Sequence, residues 1–215
     1  MHGMEQHDAP ARRAVVCTGN AHKVHELGLL LPEFALEPLP AGAADALPPE
    51  TGDTFLANAR IKAHAGAAMF PDRWVLADDS GLIVDALDGR PGVHSARYAG
   101  EDATDSTNVD LLLRELSAAG ATDPAARTAR FACVLVAIAP DGSETTAEGF
   151  VEGHITRAPA GSAGFGYDPV FVPAGHEHTF AELGDDVKSQ LSHRANAVAA
   201  LRDALGLTAA EVAPT

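Results

Sequence analysis

The sequence predicts an α/β domain built on a mixed β-sheet flanked by helices, and three features carry that expectation. First, the apolar run Ala14-Val15-Val16-Cys17 passes through a small polar turn into a helical pattern from Ala21 to about Leu31. Second, strand-like runs at Phe34–Glu37 and Trp74–Ala77 alternate with helical patterns at Phe55–Met69 and Thr104–Ala119. Third, Ala129–Ala139 is the strongest strand in the chain and reads as central; the turn Pro140-Asp141-Gly142-Ser143 folds it back onto a return strand, Glu144–Ile155. The sheet therefore contains at least one antiparallel pair.

The 215 residues suit one domain, placed at 14–206, with 1–13 as a short disordered lead and 207–215 as a tail. Hydrophobic content of 46% is enough for a sizeable core. No apolar run reaches the ~18 residues that a membrane span needs, and the lead lacks the apolar segment of a secretory signal. Cys17 and Cys133 lie in apolar strand-like runs, which suits buried free thiols in a reducing, cytoplasmic compartment. A net charge of −15 argues against nucleic acid or an anionic membrane as partner. An anionic small molecule would need local cations or a divalent metal. Of the fifteen cationic side chains, twelve are Arg and three are Lys: Lys23, Lys62 and Lys188. In so Lys-poor a chain, the survivors point to places that need a compact, flexible ammonium.

In chain order, Thr18-Gly19-Asn20 precedes the first helix, with Asn20 as its N-cap. Strand, small turn and helix can bind an anion through free N–H groups and the helix dipole, although an ordinary capped helix explains the same residues. Lys23 stands in the first helical turn, where a cation is unfavourable by about 0.3–1 kcal/mol unless an anion binds. Pro38–Pro49 reads as loop. Glu50 comes just before the 55–69 helix, on which Asn58 and Lys62 share a face. The strand at 74–77 breaks into Asp78-Asp79-Ser80-Gly81 before apolar residues resume at Leu82. Two adjacent carboxylates at the mouth of an apolar strand call for a cation opposite them, with an acidic turn as the bland alternative. In Ala160–Pro169, glycines flank Phe165 and Tyr167, so Phe165 either presents its ring for base stacking or tucks into a tight turn. Lys188 follows in 181–190. Ser192 then caps a final helix to about Leu205, with His193 and Arg194 as a second cationic first turn.

Together these stretches resemble the inosine/xanthosine triphosphate pyrophosphatases, the non-canonical purine NTP pyrophosphatases. The resemblance rests on TGNAHKVHEL (18–27), ETGDTFLANARIKA (50–63), ADDSGLIVDALDGRPGVHSARYAGEDATD (77–105), GFGYDPVF (164–171) and AELGDDVKSQLSHRANA (181–197). It implies an elongated mixed sheet with helices around it, in two lobes with a cleft between them, and a homodimer. It also implies Mg²⁺-dependent conversion of a triphosphate such as ITP, dITP or XTP to the monophosphate and pyrophosphate. By position, Thr18, Gly19, Asn20 and Lys23 resemble triphosphate contacts, Lys62 a further phosphate-side cation and Ser80 a substrate contact. Asp79 matches the catalytic carboxylate, and Glu50 with Asp79 the metal side. Phe165, Gly166, Tyr167 and Asp168 resemble the nucleoside pocket, and Lys188, His193 and Arg194 the base-reading residues. One departure is Ala57, where the family usually carries an acidic residue.

Overall fold

The computed structural model describes residues 12–207; the expected lead, apart from Arg12 and Arg13, and the tail beyond Leu207 lie outside them. Six strands form one open sheet in the order β2-β1-β3-β4-β5-β6. β1 (Arg12–Val16) pairs in parallel with both β2 (Phe34–Pro38) and β3 (Trp74–Val84). From β3 onward the pairing is antiparallel: β3 with β4 (Thr128–Ile138), β4 with β5 (Glu144–Ile155) and β5 with β6 (Phe171–Pro173). The helices are α1 (Ala21–Leu30), α2 (Phe55–Met69), α3 (Asp105–Ala118), α4 (Phe180–Leu191, kinked at Gly184) and α5 (His193–Ala204).

Two expectations need correction. β1 begins at Arg12 and not at Ala14. Its first residues gain partners: Arg13 donates to Glu37 at 2.8 Å, and the Arg12 guanidinium lies 5.5 Å from the Trp74 ring centroid. The larger correction concerns Asp78–Gly81. The strand does not break there. β3 runs unbroken for eleven residues, with Asp78 opposite Leu135 and Gly81 opposite Ala132 on β4. Ladder pairing along β4 overrides the local turn preference of Asp, Ser and Gly.

What breaks at that point is the core. Val16, Leu27, Leu76, Leu135 and Leu201 pack on one face of the sheet, under α1 and α5. Val15, Ala59, Val75, Ala77 and Val136 pack on the other, against α2. Farther along the same strands, Leu82, Val84, Phe131, Phe171 and Phe180 build a separate core with α3 and α4. The polar segment 78–81 lies between these cores, so β3 and β4 join two lobes and the cleft opens where apolar packing is absent. Cys17 and Cys133 are buried free thiols, and burial pushes their pKa values up to about 11 and about 12.

Gly81 is fixed by close approach. The 3₁₀ segment Gly92–Arg97 crosses β3 here. Ser95 Oγ accepts from Leu82 N at 2.9 Å and donates to Gly92 O at 2.6 Å. A Cβ on Gly81 would stand 2.4 Å from Ser95 Oγ and 2.5 Å from Gly92 O. Gly81→Ala should therefore cost about 1–3 kcal/mol by overpacking. Thermal denaturation should show it as a loss of several degrees, at about 2–4 °C per kcal/mol for a chain of this size.

Candidate active site

The cleft between the lobes contains a cavity of about 330 Å³. Every residue matched to the site by the family resemblance lines it: Thr18, Gly19, Asn20, Lys23, Glu50, Lys62, Asp79, Ser80, Phe165, Gly166, Tyr167, Asp168, Lys188, His193 and Arg194. Five separate chain segments thus converge on one space.

At one end the Asn20 cap is formed. Its side chain accepts from His22 N at 2.9 Å and Lys23 N at 3.3 Å, and Asn20 N donates to Thr18 Oγ1 at 3.1 Å. The cap thereby takes N–H groups that an anion-binding turn would leave open. Lys23 reaches instead toward β3, where its Nζ lies 2.9 Å from Asp78.

The adjacent carboxylates on β3 point to opposite faces, as successive residues of a strand must. Asp78 faces α1 and α5 and meets Lys23 and, at 3.2 Å, Arg194 Nη2. Burial alone would raise its carboxyl, but the Lys23 and Arg194 charges override that and hold it well below the usual carboxylate range. Asp79 faces α2. It accepts from Asn58 Nδ2 at 3.1 Å and from Ser80 N at 3.1 Å, and Lys62 Nζ stands 3.9 Å away. Burial pushes its carboxyl up to about 6 despite Lys62 and Lys23, and the Glu50 charge adds to the rise. Lys62 itself binds Glu50 Oε1 at 2.5 Å. Burial would lower its ammonium, but Asp78, Asp79 and Glu50 together raise it. The cations sought opposite the acidic pair are therefore supplied by the chain's own side chains.

At the other end Phe165 is half-buried. Its ring stacks on His22 at 5.2 Å, and Lys188 Nζ lies 4.4 Å from its centroid. The glycine-rich loop is pinned from several sides: Phe165 N donates to Asp168 Oδ2 at 2.9 Å, Gly166 N to Asp105 at 2.7 Å and the Tyr167 hydroxyl to Ser95 O at 2.8 Å. Lys188 is held by Asp168 at 2.7 Å and Glu26 at 2.9 Å.

His193 and Arg194 correct the reading of a doubly cationic first turn. His193 is buried and stacks on Phe131 at 4.8 Å. Burial, with Arg194 and Lys188 nearby, lowers its pKa well below the ordinary value, so it is a neutral ring. Its Nδ1 is buried without a partner and can still meet a ligand. Arg194 spends its two terminal nitrogens on Glu26, Asp78 and, at 3.2 Å, Ser80 Oγ, and only its buried Nε lacks a partner.

Three site residues escaped the sequence analysis. Asn58 orients Asp79, and its spacing four before Lys62 was the available signal. Glu26 clamps Lys188 and Arg194 together. Arg97, inside the quoted SARY stretch, contacts Glu50. Ala57, where the family's acidic residue is missing, sits in the first turn of α2 with its N–H donated to the Thr54 cap.

An open mixed sheet whose long strands carry a charged cleft between two packed cores defines an α/β protein with a pocket on the cleft. The chain belongs to the Ham1 family, whose profile matches residues 14–204. It is 47% identical over 186 residues to the dITP/XTP pyrophosphatase of Halalkalibacterium halodurans, covering 86% of this chain and 94% of that protein. A protein of the same name from Shigella flexneri is 46% identical over 201 residues, covering 90% of this chain and 98% of its own length. Among solved structures, a Ham1 protein from Coxiella burnetii superposes with a TM-score of 0.79 at 37% identity, over 92% of this chain and 100% of that one.

Neutralising the two aspartates should change stability in opposite directions. Asp78→Asn takes from Lys23 its carboxylate and leaves the buried Arg194 with Glu26 alone, a loss of about 3–5 kcal/mol. Asp79 has its pKa raised from 3.8 to about 6, so ionising it disfavours the native state. Its stabilisation is present below about pH 3.8 and lost as pH rises through about 6. Asp79→Asn should therefore be more stable than the parent at pH 8, by up to about 3 kcal/mol, with the gap shrinking toward pH 4. Urea unfolding at the two pH values measures both effects.

Proposed function

We propose that the chain hydrolyses non-canonical purine nucleoside triphosphates of the ITP, dITP and XTP type to the monophosphate and pyrophosphate. The observation that carries this reading is the position of Asp79. A buried carboxylate of raised basicity shares one cavity with the cations Lys23 and Lys62 and the aromatic ring of Phe165. The activity named for the relatives from Halalkalibacterium halodurans and Shigella flexneri supports it.

In the reaction a water oxygen forms a bond to the phosphorus nearest the sugar. The bond from that phosphorus to the bridging oxygen breaks, and its electron pair leaves on the pyrophosphate. Asp79 takes the water's proton, and Asn58 and Ser80 N fix the carboxylate's orientation. Lys23 and Lys62 meet the phosphate charge. The purine stacks on Phe165, an interaction worth about 1–3 kcal/mol. Hypoxanthine and xanthine present O6 and N7 as acceptors, which suit Lys188 and oppose the 6-amino group of adenine.

Mg²⁺ is the cofactor we assign. Around the cavity, Lys23, Lys62, Lys188 and Arg194 stand against Glu26, Glu50, Asp78, Asp79, Asp105 and Asp168, so carboxylates outnumber cations. A triphosphate entering such a site needs further positive charge. Among the described residues no group of three or more His, Cys, Asp or Glu could hold an ion. Glu50 and Asp79 fit an ion that binds one or two carboxylates and completes its shell with phosphate oxygens and water. When bound there, the ion would neutralise phosphate charge and acidify the attacking water. By the same family resemblance we propose a cytoplasmic homodimer.

A product assay across ITP, XTP, dITP, GTP and ATP with Mg²⁺ tests the reading. Monophosphate and pyrophosphate from the first three are expected. Stepwise orthophosphate would indicate a general phosphatase, and binding without product a nucleotide sensor. Asp79→Asn should lower turnover by about two orders of magnitude or more while nucleotide binding stays measurable. Near-normal turnover would remove Asp79 from the base role.

A further inference from the structure

The cavity does not end at Asp79. Thr18, Gly19, Glu50 and Lys62 also line a second, more open recess of about 500 Å³. Leu47, Pro48 and Pro49 form its apolar wall, with Arg97 beside them. Contacts lead from Asp79 into this recess: Asp79 to Lys62 at 3.9 Å, Lys62 to Glu50 at 2.5 Å and Glu50 to Arg97 at 3.7 Å. For a phosphate attacked beside Asp79, the adjoining space past Lys62 is this recess, since both cavities share Thr18, Gly19, Glu50 and Lys62. The cationic side chains there are Lys62, buried and bound to Glu50, and Arg97, whose side chain is 41% exposed. Arg97 makes only long contacts, 3.4 Å from Nη2 to Glu50 O and 3.7 Å from Nη1 to Glu50 Oε2. Most of its five-donor fork therefore remains available, and that fork matches two adjacent phosphate oxygens.

We propose that this recess is where the leaving pyrophosphate is held and released, and that Arg97 binds it there. The inference rests on the hydrolytic reading above and extends it to a residue outside the expected site. Because Arg97 also touches Glu50, a pyrophosphate drawn to Arg97 is drawn away from Asp79 and the nucleoside end. That separates the two products along one line.

Titration calorimetry with magnesium pyrophosphate tests this without requiring turnover. The proteins compared are the parent, Arg97→Ala, Arg97→Lys and, as a control, Arg114→Ala, an exposed arginine on α3. Arg97→Ala should weaken pyrophosphate binding about tenfold, the worth of one charge-assisted contact. Arg97→Lys should recover part of it, and Arg114→Ala should match the parent. Inosine monophosphate should bind Arg97→Ala within about twofold of the parent, and the inhibition constant of pyrophosphate in dITP hydrolysis should rise by the same factor as its dissociation constant. Unchanged pyrophosphate affinity in Arg97→Ala, or equal loss of pyrophosphate and monophosphate binding, would overturn the assignment of Arg97. Orthophosphate as the parent's product would instead sink the hydrolytic reading, a result separable from the titration.

Discussion

The structure depends on two adjacent carboxylates being sent to opposite faces of one strand. Side chains alternate along a strand, so Asp78 and Asp79 share a backbone segment and not an environment. Asp78 is enclosed by Lys23 from α1 and Arg194 from α5, and its charge is fully compensated. Asp79 meets an amide and a lysine that Glu50 already holds, so its charge is compensated only in part. The difference separates their pKa values in opposite directions. One aspartate becomes a fixed anion that ties two helices to the sheet. The other is left basic enough to accept a proton. Pushing a pair of titratable groups apart in this way is how a single site obtains distinct acid–base roles.

The same tetrapeptide divides the molecule. An apolar sequence at 78–81 would fuse the packed regions into one continuous core and leave no cleft. The polar segment costs packing there, and the long antiparallel pair β3–β4 carries that cost by remaining hydrogen-bonded across it. Asp79 consequently stands on a rigid strand and not on a loop, which holds it to a tight geometry. The apolar lobe beyond Gly81 contributes Phe131, which supports His193, and Ser95 O, which receives the Tyr167 hydroxyl.

Much of this was legible in sequence where the signal is local. α2 and β5 have the bounds that periodicity and turn residues predict, because caps such as Thr54 and the Asp141 turn act within a few residues. The three lysines were legible through their scarcity, and all three reach the cavity. Partnership at long range was not legible. Glu26 lies 168 residues from Arg194, and nothing near Glu26 distinguishes it from a solvated helix acid. Asn58 lies 21 residues from Asp79. The misread break at Asp78 has the same origin: turn propensity is local, and the pairing with β4 that defeats it is not. The neutrality of His193 likewise follows from burial, which a first-turn position does not reveal.

The buried cations divide by type, and the division bears on how the site works. Arg127 uses its planar fork to bind three backbone carbonyls, those of Ile155, Ala121 and Thr156. Arg194 uses its fork to bind Glu26, Asp78 and Ser80. Both are locked by several directed bonds and are suited to hold structure in place. Lys23, Lys62 and Lys188 bind carboxylates through a single point charge on a flexible stem, and such a group can exchange one anion for another with little reorganisation. The carboxylates Asp78, Glu50, Asp79, Asp168 and Glu26 thus hold three ammonium groups in place in the ligand-free protein, with Lys62 and Lys188 buried and Lys23 partly so. An arriving polyanion then finds its cations already desolvated and positioned. A chain of net charge −15 can in this way hold exchangeable ammonium groups at one point without a cationic surface around it. Replacing any of the three by Arg would preserve the charge and remove the exchange, and for that reason Lys persists here in a chain that elsewhere uses Arg.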